Sequence, residues 1–466
     1  MTPRSGAAAL SLLVGGALAA CSAGTSGRGG TGGGGGGGGT LTIATTGCPA
    51  ATQGQAYACT IEVSGGTPPY AFSVASGDGL APLPEGMSLG TSSGVLSSAL
   101  VGGQGSYGVR IHVADAGGQG KDLDLTLAVS GSNAWMAQVF PASSIFHHRV
   151  DAATTNLPVD GSPAAPIYIG YQGASLKVFF GAYSYLGLPT GIPAIAVPDD
   201  QAIVPVATTL YQHYFTFGPI PSYAPVEGTA ASSDGDRHVL VYRRAGGGLP
   251  AALYEMWQGS YLGAGGWTDS SNALWPDVST NALTAQGKGT SDAAGLPVAP
   301  LLLNADEVIG AGTPQAPSGA VRHPVRFTTQ HTLNYWVWPG TECAGVGSCN
   351  DGAGSAIETG TMLSQSSPPG SCTMTGPMGE IYRLKASVPT PGCATTSPQA
   401  AIIIQGFRDY GIILADNGSS GGLIGTPDAR WNDDDLGCLT QISLGDFEPV
   451  DVSSLMVSAG SGETSK

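Results

Sequence analysis

The sequence predicts a mainly β protein: an N-terminal antiparallel β-sandwich followed by a larger α+β, sheet-dominated C-terminal domain. Three observations lead there. Short runs alternating apolar and polar residues recur from residue 41 to about residue 130, separated by Gly, Pro and Ser, and period two with such turn signals marks a sandwich. Only 11% of the 466 residues are charged, while 74 are glycine and 33 proline, a composition suited to strands and turns rather than to solvated helices. All seven tryptophans, and six of the seven histidines, lie beyond residue 130, so the chain changes character there. The expected partition is 1–20 signal peptide, 21–40 flexible tether, 41–130 sandwich, 131–451 α+β domain and 452–466 disordered tail.

At the start, Arg4 supplies a positive region and residues 7–20 a short apolar run, too short to span a bilayer and of the form of a cleavable export signal. Leu18-Ala19-Ala20-Cys21 resembles the lipobox of bacterial lipoproteins. That resemblance implies cleavage before Cys21 and acyl chains on its thiol and new amino terminus, which together anchor stably where one chain would not. Ser22 stands where Asp would be the inner-membrane retention signal of the resembled pathway, which implies the outer membrane. Residues 22–40 are nearly all Gly, Ser and Thr, with too little apolar surface to fold, and act as a tether of about 25 Å r.m.s. span.

The sandwich strands include Tyr57-Ala-Cys-Thr-Ile-Glu-Val63, Tyr70-Ala-Phe-Ser-Val74, Ser106-Tyr-Gly-Val-Arg-Ile-His-Val113 and Leu123-Asp-Leu-Thr-Leu-Ala-Val129. Gly65-Gly-Thr-Pro-Pro-Tyr70, Leu83-Pro-Glu-Gly-Met-Ser-Leu89, Ser93-Gly-Val-Leu96 and Gly105-Ser-Tyr107, leading into Val113-Ala-Asp115, resemble the immunoglobulin-like modules of bacterial surface proteins. The resemblance implies a spacer or adhesive module rather than a catalyst. Gly90-Thr-Ser-Ser-Gly94 satisfies the hydrolase pattern Gly-x-Ser-x-Gly, but it falls in a turn between two strands, where no serine elbow forms.

Beyond residue 130, Arg237-His-Val-Leu-Val-Tyr-Arg243 and Ala252-Leu-Tyr-Glu-Met-Trp257 flank Gly246-Gly-Gly248 and read as a hairpin. Strands are expected at 321–329, 334–338 and 380–387. Ser397-Pro398 opens a helix that runs to Tyr410 and ends at Gly411. A strand follows over 411–415 and turns at Asn417-Gly418. Asn432 caps a short helix whose first turn holds Asp433, Asp434 and Asp435. Residues 341–377 read as a long Gly/Ser/Cys-rich loop. Gly235-Asp-Arg-His-Val-Leu240, Ser291-Asp-Ala-Ala-Gly-Leu-Pro297, Ala415-Asp-Asn-Gly-Ser419 and Asp428-Ala-Arg-Trp-Asn-Asp-Asp-Asp435 make this part similar to C-terminal regions of secreted bacterial proteins. That likeness implies one domain and no particular chemistry.

Eight cysteines suit an oxidising compartment. Cys48 and Cys59 are the two of the N-terminal module, so they are expected to form a disulfide. Cys343, Cys349, Cys372, Cys393 and Cys438 are odd in number, and no Cys-x-x-Cys spacing among them argues for zinc. A net charge of −16 with no basic tract argues against a nucleic-acid partner.

Three clusters are candidates for chemistry. Asp236 and His238 enter a predicted strand, where alternation places both on one face and Arg237 on the other; a carboxylate beside an imidazole is the unit of general acid–base work. His323 and Arg326 form the second cluster. Among the acidic residues of the third, Asp434 and Asp435 read as caps, leaving Asp416 and Asp428; such carboxylates suit glycoside hydrolysis or equally calcium, which is abundant outside cells. The simpler reading of every cluster is architectural. Trp257, Tyr261, Trp267 and Trp275 fall in Gly-rich, low-charge sequence and are candidates for stacking on sugar rings, although core packing is the commoner fate of tryptophan. The combined expectation is an exported, envelope-anchored lipoprotein that binds or cleaves extracellular polysaccharide. The alternative is a non-catalytic adhesion or envelope-structural protein.

Overall fold

The computed structural model describes residues 39–465, excepting 78–79, 162–166, 168, 183, 186–187, 212, 229–235, 331, 334, 344–360 and 363–375. The expected signal peptide, Cys21, nearly all of the tether, and Cys349 and Cys372 lie outside the described residues. Among the described residues no helix is long and apolar enough to cross a membrane.

The N-terminal module forms two main sheets and a short two-stranded pair of Thr42–Ile43 with Val63–Ser64. Strands β1 (Ala51–Thr52), β3 (Tyr70–Val74), β6 (Gly105–Asp115) and β7 (Gly120–Ser130) assemble in the order β1-β7-β6-β3. Strands β2 (Tyr57–Thr60), β4 (Ser88–Leu89) and β5 (Val95–Ser98) assemble as β2-β5-β4. The long β6–β7 hairpin pairs Gly105 with Val129 through to Ala114 with Gly120. Its alternation points Tyr107, Val109, Ile111 and Val113 inward, against Phe72, Leu96 and Leu127. Cys48 is disulfide-bonded to Cys59 on β2. The Gly-x-Ser-x-Gly segment 90–94 joins β4 to β5, a sandwich turn as expected.

The larger part is built on mixed sheets. Six strands, β8 (Lys177–Phe179), β17 (Val325–Thr329), β18 (Ile381–Leu384), β19 (Ile412–Asn417), β20 (Gly422–Ile424) and β21 (Phe447–Pro449), run in the order β8-β20-β17-β19-β18-β21. A second sheet joins β9 (Ala194–Val197), β12 (Val239–Arg243), β13 (Ala252–Trp257) and β16 (Ser271–Trp275) in that order. A third is ordered β11-β10-β15-β14, from β10 (Val204–Thr208), β11 (Phe217–Gly218), β14 (Ser260–Tyr261) and β15 (Trp267–Asp269). β17 and β19 are parallel, and the main helix, Pro398–Asp409, joins β18 to its antiparallel neighbour β19. Its buried face, Ala400, Ile403, Ile404 and Phe407, shares one core with Val325, Phe327, Ile412 and Leu414 of the sheet beneath. The molecule is thus mainly β, an immunoglobulin-like module plus a larger α+β body.

Several local expectations are corrected. The strands expected at 321–329, 334–338 and 380–387 are shorter: Val325–Thr329, Tyr335–Trp336 and Ile381–Leu384. Ser397 precedes the helix without a side-chain cap bond, the Pro398 ring alone pre-setting the first turn. The tail expected to be disordered is packed instead. Trp338 Nε1 donates to Ser461 O at 2.8 Å, and Gly462 N to Asn281 O at 2.7 Å. Cys393 and Cys438 form a disulfide between two 3-10 turns.

The immunoglobulin-like module is docked on the body. Gln53 Nε2 donates to Ala194 O at 3.1 Å, and Asn133 Nδ2 to Gln104 Oε1 at 2.7 Å. Arg430 Nη1 reaches Asp306 at 2.8 Å, and Asp306 accepts from the Asn133 backbone at 2.5 Å.

Candidate functional site

A cleft of about 790 Å3 opens where the second sheet meets β19 and the loop 287–293; Tyr211, Asp236, Trp257, Asp292, Glu342 and Asp416 are on its walls. Trp257 is the last residue of β13 and Asp416 stands near the end of β19. Both arrive at strand ends, where the ladder stops and side chains face an open crevice. Trp257 Nε1 donates to Asp236 at 3.1 Å, fixing the indole against one carboxylate oxygen. Tyr211 lies beside it, ring centroids 6.0 Å apart and 34° between planes, with Tyr211 59% exposed.

Under this wall the charges are crowded. Arg326, almost fully buried on β17, donates to Asp416 Oδ2 at 2.8 Å and is ion-paired with Asp292. Asp292 also accepts the backbone N–H groups of Ala294 and Leu296, so one carboxylate shapes its loop and holds the guanidinium. Burial pushes Asp416 up to about 6, Arg326 pulling it down and Asp236 pushing it further up. Burial raises Glu227 to about 8, with Asp236 adding to the rise; Glu227 accepts the His238 backbone N–H at 3.3 Å. Burial lowers His238 to about 4, against an opposing pull from Asp236, so its imidazole is neutral at pH 7. Glu255 is raised to about 7 by burial and accepts the backbone N–H groups of Val298 and Ala299. Glu342 is likewise pushed up to about 7 by burial.

Of the five residues expected to carry chemistry, three belong to this neighbourhood. Asp236 and Asp416 line the cleft, and His238 interacts electrostatically with Asp236 and Arg326 beneath it. The expected alternation is corrected. Arg237 has φ +50° and the strand begins at Val239, so 236–238 is a turn that leads Asp236 out and turns His238 in. His323 stands apart, its Nε2 3.0 Å from Glu307 of the capping box that starts helix Ala305–Ile309; burial lowers its pKa, but Glu307 and the Pro324 carbonyl together outweigh this and the net shift is upward. Asp428 is committed to Arg430, accepting from Nη2 at 2.7 Å and Nε at 2.9 Å, which makes it architectural.

The stacking candidates divide in the same way. Trp267 and Trp275 are 1% and 2% exposed, because alternation on β15 and β16 turns them into the core, so neither meets a ligand. Tyr261 is 44% exposed but covers Trp267, centroids 5.4 Å apart, and does not line the cleft. Trp257 alone of the four does. For calcium, no group of three or more His, Cys, Asp or Glu side chains is placed to hold a metal ion among the described residues. Asn432 caps its helix as expected, and Asp433 accepts the Ala182 backbone N–H. Glu227, Glu255, Asp292 and Glu342 were missed by sequence reasoning. Glu255 had a usable signal, a lone charge inside an otherwise apolar strand; the others sit in loops that only the fold brings together.

Residues 39–130 match the family model described as "Putative Ig domain". No match is found among curated proteins. Among solved structures, a chimeric titin Z1Z2 functionalized with a KLER exogenous peptide from decorin is similar over 20% of this chain and 99% of that one, at 16% identity and a TM-score of 0.16. The I-band fragment I67-I69 from titin is similar over 50% of this chain and 63% of its own length, at 10% identity and a TM-score of 0.16. Scores of that size carry no argument, and the immunoglobulin-like assignment of the N-terminal module rests on the family match and its two main sheets.

Proposed function

We propose that this chain is an exported lipoprotein, anchored to the cell envelope through Cys21, whose larger domain binds extracellular polysaccharide in the cleft beside Trp257. The carrying observation is the convergence of Tyr211 and Trp257 with Asp236 and Asp416 on one space of about 790 Å3. Aromatic faces take the apolar faces of sugar rings, and carboxylates accept from ring hydroxyls; together these make a saccharide subsite. The Cys48–Cys59 and Cys393–Cys438 disulfides support an oxidising compartment. The Leu18-Ala19-Ala20-Cys21 sequence supports lipidation. A glycan array probed with the full-length chain tests the binding. Trp257→Ala is expected to lower affinity for any hit by about tenfold, near the value of one stacked ring; unchanged binding would remove the cleft from the proposal. Cys21→Ser tests the anchor, with release from the membrane fraction expected.

One observation favours hydrolysis as a second reading. Asp416, held up to about 6, and Asp236 face the same space, and two carboxyl groups on one cleft, one of them with a raised pKa, are what glycoside cleavage uses. Release of reducing ends from a bound polysaccharide, abolished in Asp416→Asn, is the expected outcome. Intact chains after prolonged incubation of a confirmed ligand would leave binding alone.

A further inference from the structure

We infer that the cleft selects polysaccharides bearing free amino groups, the ammonium of an amino sugar being held between the Tyr211 and Trp257 rings and the Asp236 carboxylate. The inference rests on the saccharide reading above and names its substrate class.

The walls carry four carboxyl groups, Asp236, Asp292, Glu342 and Asp416, two of them with raised pKa values, against one lysine, Lys288. Beneath them Arg326 is shared between Asp292 and Asp416, so its single positive charge offsets one of the two. Asp236 is exposed, and its described side-chain contact in the cleft is the neutral indole N–H of Trp257. A carboxylate held against the rim of an indole, next to an exposed phenol ring, puts a negative charge and two aromatic rings on one cavity. That combination attracts a cation in two ways, by charge and by the ring quadrupoles. Lys288 of the wall shows the ring part of this attraction: its Nζ lies 3.9 Å over the centroid of the Tyr214 ring, outside the cleft. An acidic polysaccharide meets repulsion here. A neutral one gains stacking alone, while a glucosamine-type chain gains stacking and charge together. The net charge of −16 on the whole chain draws polycations and repels polyanions in the same sense.

The test titrates the full-length chain with a glucosamine hexasaccharide, its fully N-acetylated counterpart and a galacturonic acid hexasaccharide, by calorimetry at low salt. The glucosamine oligomer is expected to bind about tenfold more tightly than the acetylated one, with the uronic oligomer weakest and the preference shrinking as salt is added. Asp236→Asn should bring the glucosamine oligomer's affinity down to that of the acetylated one, whatever the acetylated oligomer itself loses, and a wild-type circular dichroism spectrum separates this from unfolding; a preference that survives in the folded variant overturns the assignment to Asp236. Equal or tighter binding of the acetylated or uronic oligomer overturns the amine assignment and leaves the saccharide reading intact. Failure of all three oligomers, together with a blank glycan array, sinks both.

Discussion

Arg326 shows how much one residue can hold. It is the guanidinium between Asp292 and Asp416, and with it gone two carboxylates would face each other in a buried site. Breaking a buried pair by removing one partner costs about 3–5 kcal/mol. Arg326→Met is therefore expected to lower the unfolding free energy by that amount in urea titration, and a loss below about 1 kcal/mol would mean that the network is solvated. The glutamates near it make a second prediction. Glu227 and Glu255 stay protonated in the fold up to about 8 and about 7, against a usual value of 4.5, so over that interval the folded chain holds more protons and stability falls as pH rises. His238 acts oppositely: held near 4 against 6.5, it leaves the unfolded state with more protons between those values, and stability rises with pH. Below pH 6.5 His238 offsets part of the fall, and from there to about pH 8 Glu227, Glu255, Glu342 and the upward-shifted His323 all act in the same sense. The unfolding free energy should fall across that upper window, by up to about 1.4 kcal/mol per pH unit per group. Glu227→Gln should flatten the slope; an unchanged slope would place the titration elsewhere.

At the scale of single elements, the helix Pro398–Asp409 sets local preference against packing. Gly406 lies in its interior, where alanine would favour the helix by about 1 kcal/mol. A Cβ there would stand 2.6 Å from the Cβ of Val321, whose branched side chain fills that place. Overpacking of this kind costs about 1–3 kcal/mol, so Gly406→Ala is expected to be destabilising overall, by thermal melting, despite its better helix propensity. Adding Val321→Ala should recover little of the loss, because alanine keeps the Cβ that stands 2.6 Å away and removes only the Cγ contacts. The Cys393–Cys438 bridge acts at the same scale, closing a separation of 45 residues around this helix. A double Cys→Ser variant is expected to lose about 2–4 kcal/mol.

Over the whole molecule, the immunoglobulin-like module is a docked part of the body rather than a bead on a string. Gly102 packs so closely on Tyr223 that a Cβ would fall 2.0 Å from its backbone carbonyl oxygen, and the Gln104–Asn133 and Asn133–Asp306–Arg430 bonds tie the linker down. Such contacts couple the two folding units. One calorimetric transition is expected for the wild-type chain, separating into two in Gly102→Leu; two transitions in the wild type would make the junction a loose one.

The sandwich, the hairpin around Gly246 and the helix after Ser397 were legible in the sequence by itself, because period, turn residues and caps act over a few neighbours. The disulfide between Cys48 and Cys59 was legible for the same reason. The cleft was not. Asp236, Asp416, Trp257 and Asp292 come from separate strands and loops, and nothing local distinguishes Trp257 from Trp267 and Trp275, which the same composition made equal candidates. Tertiary structure decided between them: a strand turns one indole into the core and leaves another at its end, while burial and a shared arginine bring distant carboxylates together. Chain periodicity carries the direction of a side chain within its own strand, but not what lies opposite it.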